Sequence, residues 1–335
     1  MKNSARLLFA VAAFCLFISG AAGLVYEIVW ARYLALFLGH TSYAVVAVLV
    51  AFMGGLALGN IWLGTRADRS PRPLAFYGWL EIGIGVYALI FPFYFDFCHA
   101  RYVGLAHRWE PGSGGLLVLK FAFSLLTILL PAILMGGTLP VLTRLVTRSL
   151  GELRGRVAAL YFINSAGAVA GCVLADFWWI PAAGLATTVF AGAMMNLFVG
   201  AVALLLNQRI DSSLLSALSP LLTGSEEREE GRAERPAAEE TFSPSELKLA
   251  LLCIGISGFV AMLYEVVWTR LLALALGSST HAFSLMLITF IAGIATGAAV
   301  VIRWKKVRTM ELFGWAELAR CAARGRGRRM GRSTR

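Results

Sequence analysis

Residues 18–39 read ISGAAGLVYEIVWARYLALFLG, and residues 256–277 read ISGFVAMLYEVVWTRLLALALG. Thirteen of the twenty-two aligned positions are identical at a constant offset of 238 residues. Each copy lies in an apolar stretch that is long enough to cross a bilayer as a helix. A segment that occurs twice in one chain indicates a structural repeat. The first copy is therefore expected to remain in the protein, although Lys2, Arg6 and the small residues 19–23 also resemble a secretory signal.

The composition of the chain is typical of a membrane protein. Hydrophobic residues make up 59% of it and charged residues only 15%, with a mean hydropathy of +0.74. Soluble domains carry about 25% charged residues. Apolar runs of about 20 residues alternate here with short basic segments, which is typical of membrane helices. The sequence predicts an all-α polytopic membrane protein with eight complete spans, near 7–29, 42–64, 74–95, 115–142, 157–179, 183–206, 249–269 and 281–302.

The distribution of Lys and Arg predicts the orientation of these spans. Basic segments follow the second, fourth and eighth spans and precede the first, so all of them fall on one side of an alternating path. The positive-inside rule makes that side cytoplasmic. We therefore expect a multi-pass protein of the cell (inner) membrane with a cytoplasmic N-terminus. The net charge of +11 follows from these loops and from the Arg-rich residues 320–335, so the lipid bilayer, and no nucleic acid, is the expected partner.

The repeat also organises the chain into halves. Six spans separate the two copies, so both copies are expected to cross the membrane in the same direction. Parallel six-helix repeats are typical of major-facilitator transporters. The predicted division is a first six-helix repeat at 1–206, a charged and disordered cytoplasmic linker at 207–248, the start of a second repeat at 249–319, and a disordered basic tail at 320–335. A truncated or frame-shifted C-terminus and a genuine lipid-attracted tail remain open for that last segment.

Several motifs together resemble one family. They are the doubled YExxWxR motif at Tyr26–Arg32 and Tyr264–Arg270, GGLALG at 54–59, PAILMGGTLP at 131–140 and YFINSAGA at 161–168. Over residues 10–319 the chain resembles the membrane domain of membrane-bound spermidine synthase-like proteins, a family of major-facilitator/spermidine-synthase fusions. The resemblance implies a module that binds, senses or transports a small cation such as a polyamine, or that anchors a synthase domain or subunit at the membrane.

The same resemblance implies an aminopropyltransferase domain after the membrane region, with a glycine-rich loop that binds decarboxylated S-adenosylmethionine. No strand–glycine-loop–helix unit follows the spans, so enzyme activity is left open at the level of the family and is not expected of this chain. The scattered Cys and His residues have no metal-ligand spacing, and neither a cofactor nor a metal is expected in this chain. A transporter unrelated to polyamines is the alternative function.

Ionisable residues inside spans are the candidate functional residues, because they are costly in lipid. Glu27 and Glu265 are expected near the outer ends of the first and seventh spans, each five residues before an Arg. They either bind a cation or form structural pairs with Arg32 and Arg270. Glu81 is expected inside the third span as a proton or cation site, or as a hydrogen-bond partner of a neighbouring helix.

Residues five apart on an α-helix diverge by about 140°. A Glu27–Arg32 pair therefore predicts a break in the helix between Tyr26 and Arg32, and likewise between Tyr264 and Arg270.

Two further predictions concern loops and packing. Asp68, Arg69 and Arg72 lie in a charged loop after the second span that is similar to the gating loop of major-facilitator proteins. Small-residue faces are expected to allow close helix packing, and a kink is expected in the fourth helix between its two prolines. The glycines of these faces are Gly54, Gly55, Gly59, Gly136, Gly137, Gly167 and Gly171.

The orientation can be checked with reporter fusions. Fusions after residues 70, 105, 150 and 235 are expected to report cytoplasm, exterior, cytoplasm and cytoplasm, because the basic segments stay inside. Paired alkaline phosphatase and fluorescent-protein reporters make the measurement. An external reporter at 235 would contradict the two-halves organisation.

Overall fold

The structure is a computed structural model that describes residues 2–38, 41–109, 112–146, 150–209, 244–277 and 279–303. Within these residues all regular secondary structure is helical, as the bilayer requires of a chain that must satisfy its backbone groups internally. The helices are α1 (Lys2–Leu38), α2 (Thr41–Arg69), α3 (Pro73–Trp109), α4 (Ser113–Gly136), α5 (Thr138–Val146), α6 (Leu150–Leu174), α7 (Ile180–Arg209), α8 (Pro244–Leu276) and α9 (Ser279–Arg303), with a π-helical turn at Ala175–Trp179 between α6 and α7.

Seven apolar helical segments among the described residues are long enough to cross a membrane. The longest, Gly155–Gln208, has 54 residues and would extend about 80 Å as one straight helix, far beyond a ~30 Å hydrocarbon core. Gly184, with φ of 80°, interrupts it. Only glycine adopts this backbone conformation readily. The segment therefore divides into two arms, which supports the eight predicted crossings.

Close contacts at glycines show the relative directions of the helices. On α6, Gly167 packs on Phe17 of α1 and Gly171 packs on Ala21, so α6 runs parallel to α1. On α3, Gly78 meets Leu204 of α7 and Gly85 meets Leu197, so α7 runs antiparallel to α3. The chain therefore reverses its direction at Gly184.

The predicted small-residue faces lie at helix interfaces. Gly55 and Gly59 of α2 pack directly on Ala132, Ile133 and Gly136 of α4. Gly54 is the exception, because nothing lies within 4 Å of the position of an added Cβ. The predicted kink is also present: α4 ends at Gly136 and α5 begins at Thr138.

The second copy of the repeat forms a hairpin of α8 and α9. The two helices pack together and meet at Gly277, which has φ of 67°. Helix α9 packs on α6: Cys172 Sγ lies 3.5 Å from the carbonyl oxygen of Ser284, and one turn later Asp176 contacts His281. These contacts make α9 antiparallel to α6, so α8 runs in the same direction as α1.

The predicted break between Tyr26 and Arg32 is wrong. Helix α1 is continuous from Lys2 to Leu38, and α8 is continuous from Pro244 to Leu276. The prediction assumed that Glu27 and Arg32 must meet each other. In the structure Arg32 pairs with Asp176 of the π-helical turn instead, and a straight helix allows this. Most of the predicted linker and the predicted basic tail lie outside the described residues.

The α2–α4 contact gives a stability prediction. A methyl group at Gly59 would overlap the carbonyl oxygen of Ile133, whereas a methyl group at Gly54 meets open space. Gly59→Ala is therefore expected to destabilise the protein by about 1–3 kcal/mol through overpacking. Gly54→Ala, the matched control, is expected to be neutral or slightly stabilising, because alanine favours helices. Thermal unfolding of the purified protein in detergent makes the measurement, and equal melting temperatures for the two variants would contradict the prediction.

Candidate functional site

The two repeated glutamates lie well inside their apolar helical segments, and their predicted place near the outer membrane surface stays a prediction. The apolar part of α1 runs from Phe9 to Leu38 and that of α8 from Leu251 to Leu276. Glu27 is about 5 Å, and Glu265 about 2 Å, from the midpoint of its segment at 1.5 Å per residue. The apolar segments extend further than the sequence pattern indicated, because Arg32 and Arg270 lie inside helices instead of ending them.

Glu27 and Glu265 are the equivalent acids of the two repeat copies. Their side chains are buried, with 1% and 3% of their surface exposed. They are close enough for their charges to repel each other. Cys172 of α6 also lies within electrostatic reach of Glu27. The internal repeat therefore brings its two equivalent acids to one place.

Neither glutamate is neutralised by a partner in the part of the chain that the structure describes. Glu27 Oε1 and Glu265 Oε2 are buried without any hydrogen-bond partner there, and the ion pairs of Arg32 and His281 are with Asp176 instead. The indole Nε1 of Trp30, one turn from Glu27, is also buried without a partner. Orphaned buried polar atoms are rare in proteins, so this junction has unused capacity to bind a polar or charged group.

Arg32 binds Asp176, which lies in the π-helical turn. One guanidinium nitrogen of Arg32 forms an ion pair with Asp176 Oδ1, and His281 Nδ1 of α9 lies 2.7 Å from Oδ2. The Phe177 ring stacks on the His281 ring, with 5.6 Å between the ring centroids. Asp176 therefore ties α1, α6 and the second repeat copy together.

The second copy of the motif has different surroundings from the first. Trp30 is fully buried and stacks on Tyr26, whereas Trp268 is 55% exposed. Arg270, the counterpart of Arg32, is exposed. The structure therefore brings Glu27 and Glu265 together but leaves Arg270 away from them.

Glu81 belongs to a separate polar cluster between α1, α3 and α7. It is fully buried and accepts hydrogen bonds from Ser19 Oγ at 2.6 Å and from Asn196 Nδ2 at 2.5 Å. The Tyr26 hydroxyl group in turn donates to Asn196 Oδ1 at 2.7 Å. The predicted hydrogen bond to a neighbouring helix is thus present.

The charged loop after α2 lies at one end of the bundle. Arg69 and Arg72 are exposed, and Arg144 Nη1 of α5 approaches the Ser70 carbonyl oxygen at 3.5 Å. The Asp68 side chain lies outside the described part of the structure. A gating role for Asp68, Arg69 and Arg72 stays a prediction.

Sequence reasoning missed Asp176 and Asn196 as members of the site. Trp178 and Trp179 follow Asp176, a pattern typical of the membrane surface, yet Asp176 is completely buried. A single carboxylate inside an apolar run was a signal for it, since such a group needs a partner. Asn196 gave a weaker signal, because an uncharged amide is common on helix surfaces.

Within the described ranges, no three His, Cys, Asp or Glu side chains are grouped so as to hold a metal ion. No family model, curated protein or solved structure matches this chain. The resemblance to spermidine synthase-like membrane proteins therefore stays a proposal.

The Asp176 cluster yields a prediction. The Asp176 carboxylate is fully buried, while the Arg32 side chain is 22% exposed. Asp176→Asn leaves Arg32 without its counter-charge and is expected to cost about 3 kcal/mol of stability. The double variant Asp176→Asn/Arg32→Gln removes both charges and is expected to regain part of that loss. Thermal unfolding in detergent tests this, and a double variant no more stable than Asp176→Asn alone would contradict the pairing.

Proposed function

We propose that this chain is a membrane module that binds a small organic cation between the two copies of its repeated helix. The observation that carries the proposal is the Glu27–Glu265 pair. Two buried acids lie within electrostatic reach of each other, well inside their apolar helical segments. Each has an unpartnered oxygen atom, and no described Lys or Arg forms an ion pair with either.

Electrostatics favours a cationic ligand over a purely structural role for this pair. One charged side chain at the bilayer centre costs roughly 2.5–3.5 kcal/mol on insertion scales, and two neighbouring carboxylates also repel each other. A structural pair of helices gains nothing from this arrangement. A bound ammonium group, in contrast, neutralises the charge and donates hydrogen bonds to the orphaned oxygens.

The location also fits a ligand site. Binding sites of secondary transporters lie near the midplane at the interface of structural repeats, and the proposal places the two glutamates there. A cavity lies one helical turn beyond Glu27, between α1, α2 and α9. It is lined by Ile28, Ala31, Arg32, Ala35, Val45, Thr280 and Phe283. In the proposal this cavity is the access route.

Amines with more than one positive charge are the proposed substrate class. Two carboxylates within electrostatic reach match two ammonium groups better than one. The family resemblance points to the same class, because polyamines such as putrescine and spermidine carry separated ammonium groups. The finer fold assignment is also part of the proposal: a major-facilitator-like pair of six-helix halves in the cell membrane, supported by the shared direction of α1 and α8.

Two alternative functions differ in whether they require the Glu27–Glu265 pair. An anchor for a polyamine synthase needs the helices but not the two acids. A transporter unrelated to polyamines needs the acids but a different ligand. The proposal therefore depends on whether these particular side chains bind amines.

Binding of spermidine to the full chain in phosphatidylcholine nanodiscs is the test. Glu27→Gln and Glu265→Gln are each expected to weaken binding about tenfold, which corresponds to about 1.4 kcal/mol for the loss of a charged hydrogen bond. Thermal stabilisation by the ligand gives an independent readout, since a saturating ligand raises the stability of the folded state.

Asp96→Asn is the matched control, because it removes an exposed carboxylate of α3 and is expected to bind like the unaltered protein. Neutral 1,4-butanediol is the ligand control for putrescine and is expected not to bind. Spermidine affinity that is the same in both glutamine variants would overturn the proposal. A folded chain that binds no amine would favour the anchor.

A further inference from the structure

Glu81 has an environment that serves both of its protonation states. As a carboxylate it accepts hydrogen bonds from Ser19 and from the Asn196 amide group, and Asn196 accepts one from Tyr26. As a neutral acid it can donate to Asn196 once the amide group turns over, and the amide NH₂ then donates to the Tyr26 oxygen. The same three contacts persist in both states, although the Tyr26 hydroxyl group changes from donor to acceptor, so a proton can come and go without repacking the core.

A small apolar cavity lies beside this cluster, toward one end of the bundle. It is lined by Val11, Ala12 and Cys15 of α1, Leu74 and Tyr77 of α3, Leu142 and Leu145 of α5, and Ala203 and Leu206 of α7. These residues lie toward the end of the bundle that carries Arg69 and Arg144. Cys15 and Tyr77 line the cavity and are also electrostatic neighbours of Glu81.

Among the described residues of the cluster, Glu81 is the one carboxyl group. Helix α1 contributes Cys15 and Tyr26, α3 contributes Tyr77, and α7 contributes the uncharged Asn196. Thiols and phenols titrate at much higher pH than carboxyl groups in water. No described Lys or Arg forms an ion pair with Glu81, so a proton is the cation that this cluster is arranged to accept.

We propose that Glu81 is a reversible proton-binding site in the membrane interior, reached through the cavity that Cys15 and Tyr77 line. The proton comes from water at the Arg69 end, binds Glu81 Oε2, and returns to water by the same route. Hydrogen bonds through Asn196 connect this site to Tyr26, the residue before Glu27. The inference is independent of the amine site, because it requires no ligand.

Infrared spectroscopy of the full chain in phosphatidylcholine nanodiscs tests the proton site. Protonated carboxyl groups give a carbonyl band that disappears when the proton leaves. Difference spectra between acidic and alkaline buffer are expected to contain a band that Glu81→Gln removes and that Asp96→Asn, the exposed control, retains. Ser19→Ala is expected to move this band to higher frequency, because one hydrogen bond to the carboxyl group is lost.

Three outcomes would overturn the proton site. One is a Glu81→Gln spectrum identical to that of the unaltered protein, and another is loss of the band in Asp96→Asn. If Glu81→Gln does not fold, an unmoved band in Ser19→Ala overturns it, since Glu81 itself is intact there.

The route has its own test, which is the rate at which the band shifts after transfer to deuterated buffer. Ala203→Leu fills the cavity from α7 and is expected to slow this exchange about tenfold. Ala12→Leu fills the cavity from α1 and is expected to have the same effect. Unchanged exchange in both variants would overturn the route.

Discussion

The bilayer interior offers no water to a polar group, and the positions of the buried side chains of this protein follow from that constraint. Backbone groups satisfy one another in long helices. Polar side chains have to find partners on other helices, and they do so in two clusters, around Asp176 and around Glu81. Within the described chain the matching leaves one oxygen each of Glu27 and Glu265 without a partner, and also Trp30 Nε1, Arg32 Nε and the Tyr77 hydroxyl group.

The helices and their close contacts could be predicted because they depend on local pattern. Apolar length indicated the spans, glycine spacing indicated the α2–α4 and α1–α6 interfaces, and the Gly136–Gly137 pair between two prolines indicated the break after α4. The repeat indicated that α8 runs in the direction of α1. Each of these inferences needs only the residues of one helix or a comparison of two segments.

The pairing of polar side chains could not be predicted, because it depends on residues far apart in the sequence. Arg32 and Asp176 are separated by 144 positions, and nothing local to either residue identifies the other. The calculation that Glu27 and Arg32 diverge around α1 was correct, but the inferred bend was wrong. The two side chains have different neighbours: Glu27 lies within electrostatic reach of Glu265 of α8, and Arg32 pairs with Asp176 of the π-helical turn. Sequence identity between the copies also did not reveal that Trp30 is buried while Trp268 is exposed.

The central position of Glu27 and Glu265 in their apolar segments gives the proposed cation site an electrical consequence. A charge that crosses the whole bilayer changes its energy by about 2.3 kcal/mol per 100 mV of membrane potential. A monovalent cation that reaches these glutamates has crossed roughly half of that field, which corresponds to about 1 kcal/mol per 100 mV, and a divalent amine experiences twice as much. A negative interior would therefore draw such a ligand inward from the external side and oppose its entry from the cytoplasmic side. The occupancy of the junction would then depend on the membrane potential.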